Sequence, residues 1–249
     1  LFRSYAHCAI HSVTQLASTV HNLANRNPSA VCSLGPAVSL RIVSTRSPYA
    51  IRFRAFVAAT HFPQALAMVL LMGASSAVFG GTWAQVLLVL VASAAGQATI
   101  GWTNDAHDSA ADVAAGRLTK PTVQGVIRPE ELRLPIVVSA TLTVPLSFVA
   151  AGWIGGCAHI AAVASALMYN FFLARTAWSW LPYAVSFALM PLFVAQAISP
   201  ARWPTVSLMG LSVLVGVIAH LLNAIPDINA DRDSGWGGLA VSLGRRRSQ

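Results

Sequence analysis

Six apolar segments follow residue 56 and constrain the fold of this chain more than any other feature. They lie at about residues 60–80, 83–103, 133–153, 155–174, 179–199 and 204–224. Each comes close to the ~20 residues that an α-helix needs to cross the ~30 Å hydrocarbon core of a bilayer. The whole chain is 55% hydrophobic and only 10% charged, far from the average of soluble domains. We therefore predict an all-α fold, a polytopic transmembrane helix bundle with six spans.

The few charges are distributed as topology signals. The chain carries 16 Lys and Arg against 8 Asp and Glu, a formal charge of +8. The basic residues stand in short stretches between apolar segments, so they form no continuous face for nucleic acid, and no protein partner is predicted either. Loops after the second, fourth and sixth segments are rich in them, whereas the other loops contain only Arg202. By the positive-inside rule the even-numbered loops face the cytoplasm, in a multi-pass protein surrounded by membrane lipids.

Residues 1–54 differ from the rest of the chain. They hold eight Ser, six Arg, three His and no acidic residue. This composition resembles that of organelle transit peptides, but the chain opens with Leu rather than Met, so a fragment or a mis-assigned upstream start is an equal alternative. We expect a disordered, leader-like segment over residues 1–54 and a transmembrane domain over residues 55–249. The membrane is then that of a bacterial cell, or of an organelle if the segment is a transit peptide.

Several residues that often carry function have simpler interpretations here. The three cysteines stand far apart without a CxxC pair, so neither a disulfide framework nor a zinc site is predicted. His61, His159 and His220 fall in or near apolar segments, where packed or hydrogen-bonded side chains are expected. Glu130 and Glu131 follow a proline and predict a helix N-terminus. Tryptophans near segment ends are interpreted as lipid-facing anchors, namely Trp83, Trp102, Trp153, Trp178, Trp180 and Trp203.

Most of the acidic residues are concentrated in two short windows. The first begins at Asp105 and continues with Asp108 and Asp112, and no acid precedes it in the chain. At 3.6 residues per turn, Asn104, Asp108 and Asp112 fall on one stripe of a helix that continues past the second apolar segment. A carboxylate at the bilayer centre costs about 2.5–3.5 kcal/mol on insertion scales. The stripe is therefore expected to line a protein cavity or the membrane interface.

The second window repeats the pattern, with Asn223, Asp227 and Asp231 after the sixth apolar segment. Because four segments separate the windows, both emerge on the same side of the membrane. Carboxylates one turn apart repel each other, and a shared Mg²⁺, which prefers hard oxygen ligands and substrate phosphates, is the simplest counterion. The two windows therefore predict a site for Mg²⁺ and a diphosphate. Basic side chains on the same side are candidates to neutralise the remaining phosphate charge, namely Arg117, Lys120 and Arg175.

At these residues the chain resembles the UbiA family of membrane prenyltransferases. Residues 104–112 match the family signature NDxxDxxxD in full. Residues 116–121 resemble the basic-Pro turn that follows it, with Lys120 where Arg is more usual. Residues 227–244 resemble the second signature, DxxxD and an LAVxLG run, especially in the naphthoate-prenylating, actinobacterial-type branch. Residues 169–175 resemble the Tyr-containing end of the fourth family helix, with Ala174 where Lys is usual.

The resemblance covers residues 56–249 and implies about nine transmembrane helices around a central cavity, with both Asp motifs on its cytoplasmic rim. Six spans are present, so we expect the domain to be C-terminally incomplete, without the last three helices. The implied cofactor is Mg²⁺, and Asp105 is an implied metal ligand. Asn104 and Asn223 join the three basic side chains at the diphosphate, and Tyr169 stabilises cationic character through its ring face. The implied catalytic carboxylates, which also bind the metal, are Asp108, Asp112, Asp227 and Asp231.

The reaction that the resemblance implies is transfer of a prenyl group from an allylic prenyl diphosphate to a lipophilic acceptor, aromatic or quinone-precursor, within the membrane. A membrane terpene cyclase of the same type begins with the same ionisation, and the sequence does not separate the two. A cation transporter is the alternative from another class, but its ion-binding acids are expected near the membrane midplane within broken helices. Here both acidic windows lie at segment ends.

Overall fold

The computed structural model describes residues 48–114, 119–200 and 202–225, with single positions 228, 238, 239, 241 and 244. No strand occurs in this part of the chain, which confirms the all-α prediction. A 3₁₀-helix at Pro129–Leu132 begins, as predicted, with both glutamates in its first turn, and a π-helix spans Tyr169–Leu173. The α-helices are α1 (Pro48–Ala58), α2 (Phe62–Val78), α3 (Trp83–Ala114), α4 (Arg133–Met168), α5 (Trp180–Ile198) and α6 (Val206–Ala224).

The helices have the length and apolarity of membrane spans. Four helical segments of the described chain meet both requirements, and a fifth does so if α1 and α2, which meet at 62°, form one broken span. Helices α2, α3, α5 and α6 each lie where an apolar segment is predicted. The number of spans stays a prediction, as does the domain boundary after residue 54.

Helix α4 is interrupted near its middle. Its backbone leaves helical geometry at Ala151 (φ −137°, ψ 17°) and Gly152 (φ 62°, ψ −162°). A straight helix would hold Ser147 and His159 about 18 Å apart, yet Ser147 Oγ and His159 Nδ1 are 2.7 Å apart. The two halves of α4 therefore fold back on each other. They correspond to the third and fourth predicted apolar segments. The break lies within a few residues of the boundary predicted between segments 133–153 and 155–174, at Gly152, which adopts a backbone conformation open almost only to glycine.

Helices α2 to α5 pack closely at one end of the bundle, which we call the packed end. Phe193 of α5 is fully buried there. Small side chains surround it and let the helices approach, as is usual in membrane bundles. The cluster comprises Met72, Val89, Ala92, Ala150, Ala151, Phe193, Val194 and Ala197. This end holds the bundle together on the side away from the first acidic window.

A second cluster lies at the other end and fixes the loop after α3. Ile127 and Leu132 are buried against α1. Trp102 packs against the same cluster, and its indole N–H donates to the carbonyl of Phe56 over 2.8 Å. The interpretation of Trp102 as a lipid-facing anchor is therefore wrong, whereas Trp83 is 90% exposed as expected. This cluster positions the loop that carries Lys120.

Candidate functional site

Helix α3 continues well beyond the length that a bilayer requires. Its 32 residues extend about 48 Å at 1.5 Å per residue, so the helix carries the first acidic window past the ~30 Å apolar core. Asn104 Nδ2 donates to Asp108 Oδ2 over 2.9 Å. This contact confirms the predicted stripe of residues one turn apart.

Lys120 lies among the carboxylates of this window. Its Nζ is 2.6 Å from Asp112 Oδ2 and 3.3 Å from Asp105 Oδ1, and it donates to Asn104 Oδ1 over 3.4 Å. Asp105 is 1% exposed and Asp112 is fully buried. Buried carboxylates need a counter-charge, and the two share this one ammonium group. We call Asn104, Asp105, Asp108, Asp112 and Lys120 the acidic cluster.

Asp105 lies off the stripe and contacts the hinge between α1 and α2. Thr122 Oγ1 donates to Asp105 Oδ2 over 3.4 Å, and His61 Nε2 is 3.5 Å from Asp105 Oδ1. A Cβ at Gly101 would lie 2.3 Å from the carbonyl oxygen of Thr60, so only glycine permits this approach. The role of Asp105 as a metal ligand stays a prediction.

His61 has a backbone conformation that sequence reasoning missed. Its φ of 56° and ψ of 50° place it in the left-handed region, where a non-glycine residue is strained. Such strain tends to occur at functional sites. No sequence signal marks the conformation, because it follows from the close approach of the hinge to α3.

Arg175 reaches the exposed side of the acidic cluster. Its Nη2 is 3.7 Å from Asp108 Oδ1, and the Asp108 side chain keeps 17% of its surface exposed. Arg175 follows the π-helix, a distortion that is frequent at functional sites. Arg175, predicted to bind the diphosphate, and Asp108, predicted to bind the metal, are thus neighbours, although both roles stay predictions.

Asn170, within the π-helix, was not anticipated from the sequence. Its Oδ1 accepts from Asn104 Nδ2 over 3.4 Å, and its Nδ2 donates to the carbonyl of Ile100 over 3.0 Å. The signal that would have found it is an amide side chain at the end of an apolar segment, which must find partners inside the bundle. Asn170 joins the second half of α4 to the first acidic window.

A cavity of about 390 Å³ lies within the bundle and meets the acidic cluster at Asn104. Asn104, Asn170 and Asn223 lie around its mouth, and Asn223 Nδ2 donates to the hydroxyl of Tyr183 over 3.3 Å. The leading residues of both predicted ladders, at the ends of α3 and α6, therefore line one cavity. The other candidates of the second window, Asp227 and Asp231, lie outside the described residues, as does Arg117.

Aromatic rings form one wall of this cavity. Tyr169 and Tyr183 meet edge to face with their ring centroids 5.3 Å apart. His220 lies behind them, 5.1 Å from the Tyr183 ring, and its Nε2 is 3.0 Å from Ser179 Oγ. His220 is thus a packed, hydrogen-bonded histidine, as expected. Tyr169 is in position to face a cationic ligand, a role that stays a prediction.

The acidic cluster fits Mg²⁺ in the chemistry of its donors. Carboxylate and amide oxygens are the hard ligands that this ion prefers. Among the described residues, no three His, Cys, Asp or Glu side chains converge on a ready-made metal position. Asp108 is the partly exposed carboxylate of the cluster, next to Arg175. The described residues therefore fit a metal that is held jointly by one or two carboxylates and by a bound phosphate.

The chain belongs to the UbiA prenyltransferase family, whose model matches residues 62–249. Together with its apolar helices, this membership makes it an integral membrane protein of the prenyltransferase class. No curated protein and no solved structure matches the chain.

Proposed function

We propose that this protein transfers a prenyl group from an allylic prenyl diphosphate to an aromatic or quinone-precursor acceptor within the membrane, with Mg²⁺ as its cofactor. One observation carries the proposal: Asn104, which donates a hydrogen bond to Asp108 within the acidic cluster, also lines a largely apolar cavity. A prenyl diphosphate likewise combines a highly charged part, the diphosphate, with an apolar part, the prenyl chain.

The charges at the mouth support a requirement for a divalent cation. Asp105, Asp108 and Asp112 face the cationic side chains of Lys120 and Arg175, which leaves an excess of one negative charge among these groups. A diphosphate would add further negative charge to the same small volume. Like charges at such distances repel strongly in a partly desolvated site. Binding therefore calls for added positive charge, and Mg²⁺ suits both carboxylate and phosphate oxygens.

The chain's own residues bind and orient the diphosphate. In the proposal Arg175 donates to phosphate oxygens from the exposed side of the acidic cluster, and Asn104 and Asn223 donate from the cavity. In the proposal Asp108, Asp112, Asp227 and Asp231 hold the Mg²⁺, and Arg117 and Lys120 add positive charge. When bound, Mg²⁺ supplies the Lewis acidity that stabilises the departing diphosphate.

The covalent step then follows from ionisation. The bond between the allylic carbon and the diphosphate oxygen breaks, and the diphosphate leaves with the electron pair. An electron-rich carbon of the acceptor forms the new bond to the allylic cation, and the acceptor loses one proton. In the proposal the rings of Tyr169 and Tyr183, which line the cavity, stabilise the cation, and the apolar cavity excludes water that would otherwise capture it.

Prenyl transfer by matched carboxylate variants tests the proposal. Membranes carrying the protein are incubated with labelled prenyl diphosphates, a naphthol-type acceptor and Mg²⁺. Asp108→Asn keeps the shape of the side chain and an oxygen to accept from Asn104, so we expect normal folding but a loss of transfer of about 10²–10³-fold. Asp231→Asn is expected to reduce prenyl transfer by a similar factor.

Glu131→Gln is the control, because it removes a carboxylate that pairs with Arg52 outside the cluster. It should leave transfer unchanged. Undiminished transfer in both Asp variants would refute the proposed function.

A further inference from the structure

The two arginines of α1 lie on opposite sides of the helix, because two residues correspond to about 200° around its axis. Arg52 faces the loop after α3, where its Nη2 is 2.7 Å from Glu131 Oε1 and its Nη1 donates to the carbonyl of Val126 over 3.5 Å. Arg54 is exposed on the outward side. Within the described chain it makes no hydrogen bond and no ion pair. One arginine therefore holds α1 to the protein, whereas the other is free to bind an external anion.

An open groove of about 300 Å³ lies beside Arg54, where α1 meets α2. Its lining comes from both helices, so the 62° bend between them forms the concave surface. Apart from the arginine, the lining is apolar and comprises Phe53, Val57, Ala58, Phe62 and Pro63. We call these five residues, together with Arg54, the bend groove.

The bend groove lies at the end of the bundle that carries the first acidic window. His61, between the two helices, is 3.5 Å from Asp105, and the buried side of α1 packs against the loop after α3. Helix α1 extends only about 17 Å and contains two arginines, so it does not cross the ~30 Å apolar core by itself. Phe53 and Phe62 are 71% and 46% exposed, as is usual for aromatic anchors near lipid headgroups. These features place the groove at the level of the headgroups.

An apolar groove with one guanidinium group beside it matches a phospholipid. Arginine binds phosphate oxygens through paired N–H donors, and its aliphatic stem packs on apolar surface. The volume lies at the lower limit of small-ligand sites, so the groove accommodates only part of an acyl chain. A hydrocarbon alone would leave Arg54 without a counter-charge, and a free anion would leave the apolar lining uncovered. The predicted topology places this end on the cytoplasmic side, where the leaflet contains anionic lipids.

We propose that the bend groove is a binding site for an anionic phospholipid, whose phosphate pairs with Arg54 and whose acyl chain packs against Phe53 and Ala58. The site is separate from the acidic cluster and requires neither Mg²⁺ nor a prenyl diphosphate, so it does not depend on the proposed function. A lipid bound there contacts both α1 and α2. It would therefore stabilise the bend that holds His61 next to Asp105.

Native mass spectrometry of the full chain, purified in detergent, tests the site by counting the lipids that each protein molecule retains. The titrants are phosphatidylglycerol and phosphatidylcholine with identical oleoyl chains, which differ in the charge of the headgroup. We expect the first lipid bound by the unaltered chain to show about a fivefold preference for phosphatidylglycerol, the effect of one arginine near an anionic lipid. Arg54→Gln should remove this preference, and Arg54→Lys, which keeps the charge, should retain part of it.

Arg133→Gln is the matched control for the charge. It removes an exposed arginine that also has no partner within the described chain but lies outside the bend groove. The preference for phosphatidylglycerol should persist in this variant. The site is refuted if the unaltered chain shows no preference, if Arg54→Gln retains it in full, or if Arg133→Gln reduces it equally.

A second pair of variants tests the apolar part of the site. Ala58→Phe fills the groove without changing the charge and should weaken the binding of both lipids severalfold. Ala164→Phe adds the same bulk at an exposed alanine of α4 and should leave lipid binding unchanged. Equal effects of the two substitutions would contradict a role of the groove in binding the acyl chain.

Two other occupants of the groove give different results. Glycerol 3-phosphate, added as its ammonium salt, has the phosphate without the acyl chains and should not displace phosphatidylglycerol. Displacement at equal concentration would assign Arg54 to a free anion and overturn the lipid site. A loss of dimers in Arg54→Gln with unchanged lipid binding would assign the groove to a second copy of the chain, which also overturns it.

Discussion

The two ends of the helix bundle differ in how the same helices pack. At the packed end, α2 to α5 meet around Phe193 with small residues between them. Towards the acidic cluster they separate and, with α6, enclose a cavity of about 390 Å³. Protein interiors are normally close-packed, so an open volume of this size forgoes many contacts. The comparison indicates that stability resides at the packed end and that the acidic end is organised around a ligand.

The largest effect on stability is expected at Lys120. Lys120→Met removes the ammonium that Asp105 and Asp112 share as their counter-charge. Leaving buried carboxylates uncompensated should lower the free energy of unfolding by about 3–5 kcal/mol. Denaturant unfolding in micelles without divalent cations measures the change, and Lys120→Arg, which keeps the charge, should lose far less. A loss below about 1 kcal/mol for the Met variant would contradict the role of Lys120 as counter-charge.

A pair of phenylalanines on α5 compares the two ends directly. Phe193→Ala opens a void in the packed end and should cost about 3 kcal/mol of unfolding free energy. Phe187→Ala enlarges a cavity that already exists and should cost about 1 kcal/mol. Unfolding of both variants in the same detergent gives the difference. Equal costs would show that the two ends are packed alike.

Replacing Gly101 is expected to lower the stability of the protein by a moderate amount. In Gly101→Ala the new methyl group would overlap the carbonyl of Thr60, whose nearest atom lies 2.3 Å from the Cβ position. The hinge must then move away from α3, which should cost about 1–3 kcal/mol and disturb the contact between His61 and Asp105. The temperature of thermal unfolding and the rate of prenyl transfer should both be lower in this variant.

The smallest effect is expected on α6. Gly210→Ala adds a methyl group with no heavy atom within 4 Å, so it is the matched control for Gly101→Ala. Because alanine favours the helix over glycine, stability should rise by about 0.5–1 kcal/mol with transfer unchanged. A loss of stability here would mean that α6 is packed against something beyond the described residues.

Several features of the site were predictable because they depend on local geometry. The stripe of Asn104 and Asp108 follows from helical periodicity, and their hydrogen bond confirms it. The helix start at Pro129 follows from a proline and two glutamates, and it is observed. The approach of Arg175 to Asp108 agrees with the placement of the loops after the second and fourth apolar segments on one side of the bundle.

Other features were not predictable, because they depend on which segments meet. Trp102 packs against α1, whereas its position near a segment end suggested a lipid anchor. The break in α4 falls at Gly152, since several glycines stand close together and only packing selects the one that turns. The insertion of Lys120 between two carboxylates depends on how the loop after α3 is held by Ile127 and Leu132.

The sequence by itself determined the helical class, the apolar segments and the spacing of the acidic window, because these follow from hydrophobic burial and the 3.6-residue period. Only the tertiary structure decided that Asn104, Asn170 and Asn223 share one cavity mouth and that a histidine and a glutamine lie at its inner end. These residues are brought together by helix packing, which depends on side-chain size at distant contacts such as Gly96 and Gly101. Such contacts join segments that are far apart in the chain, so no local pattern encodes them.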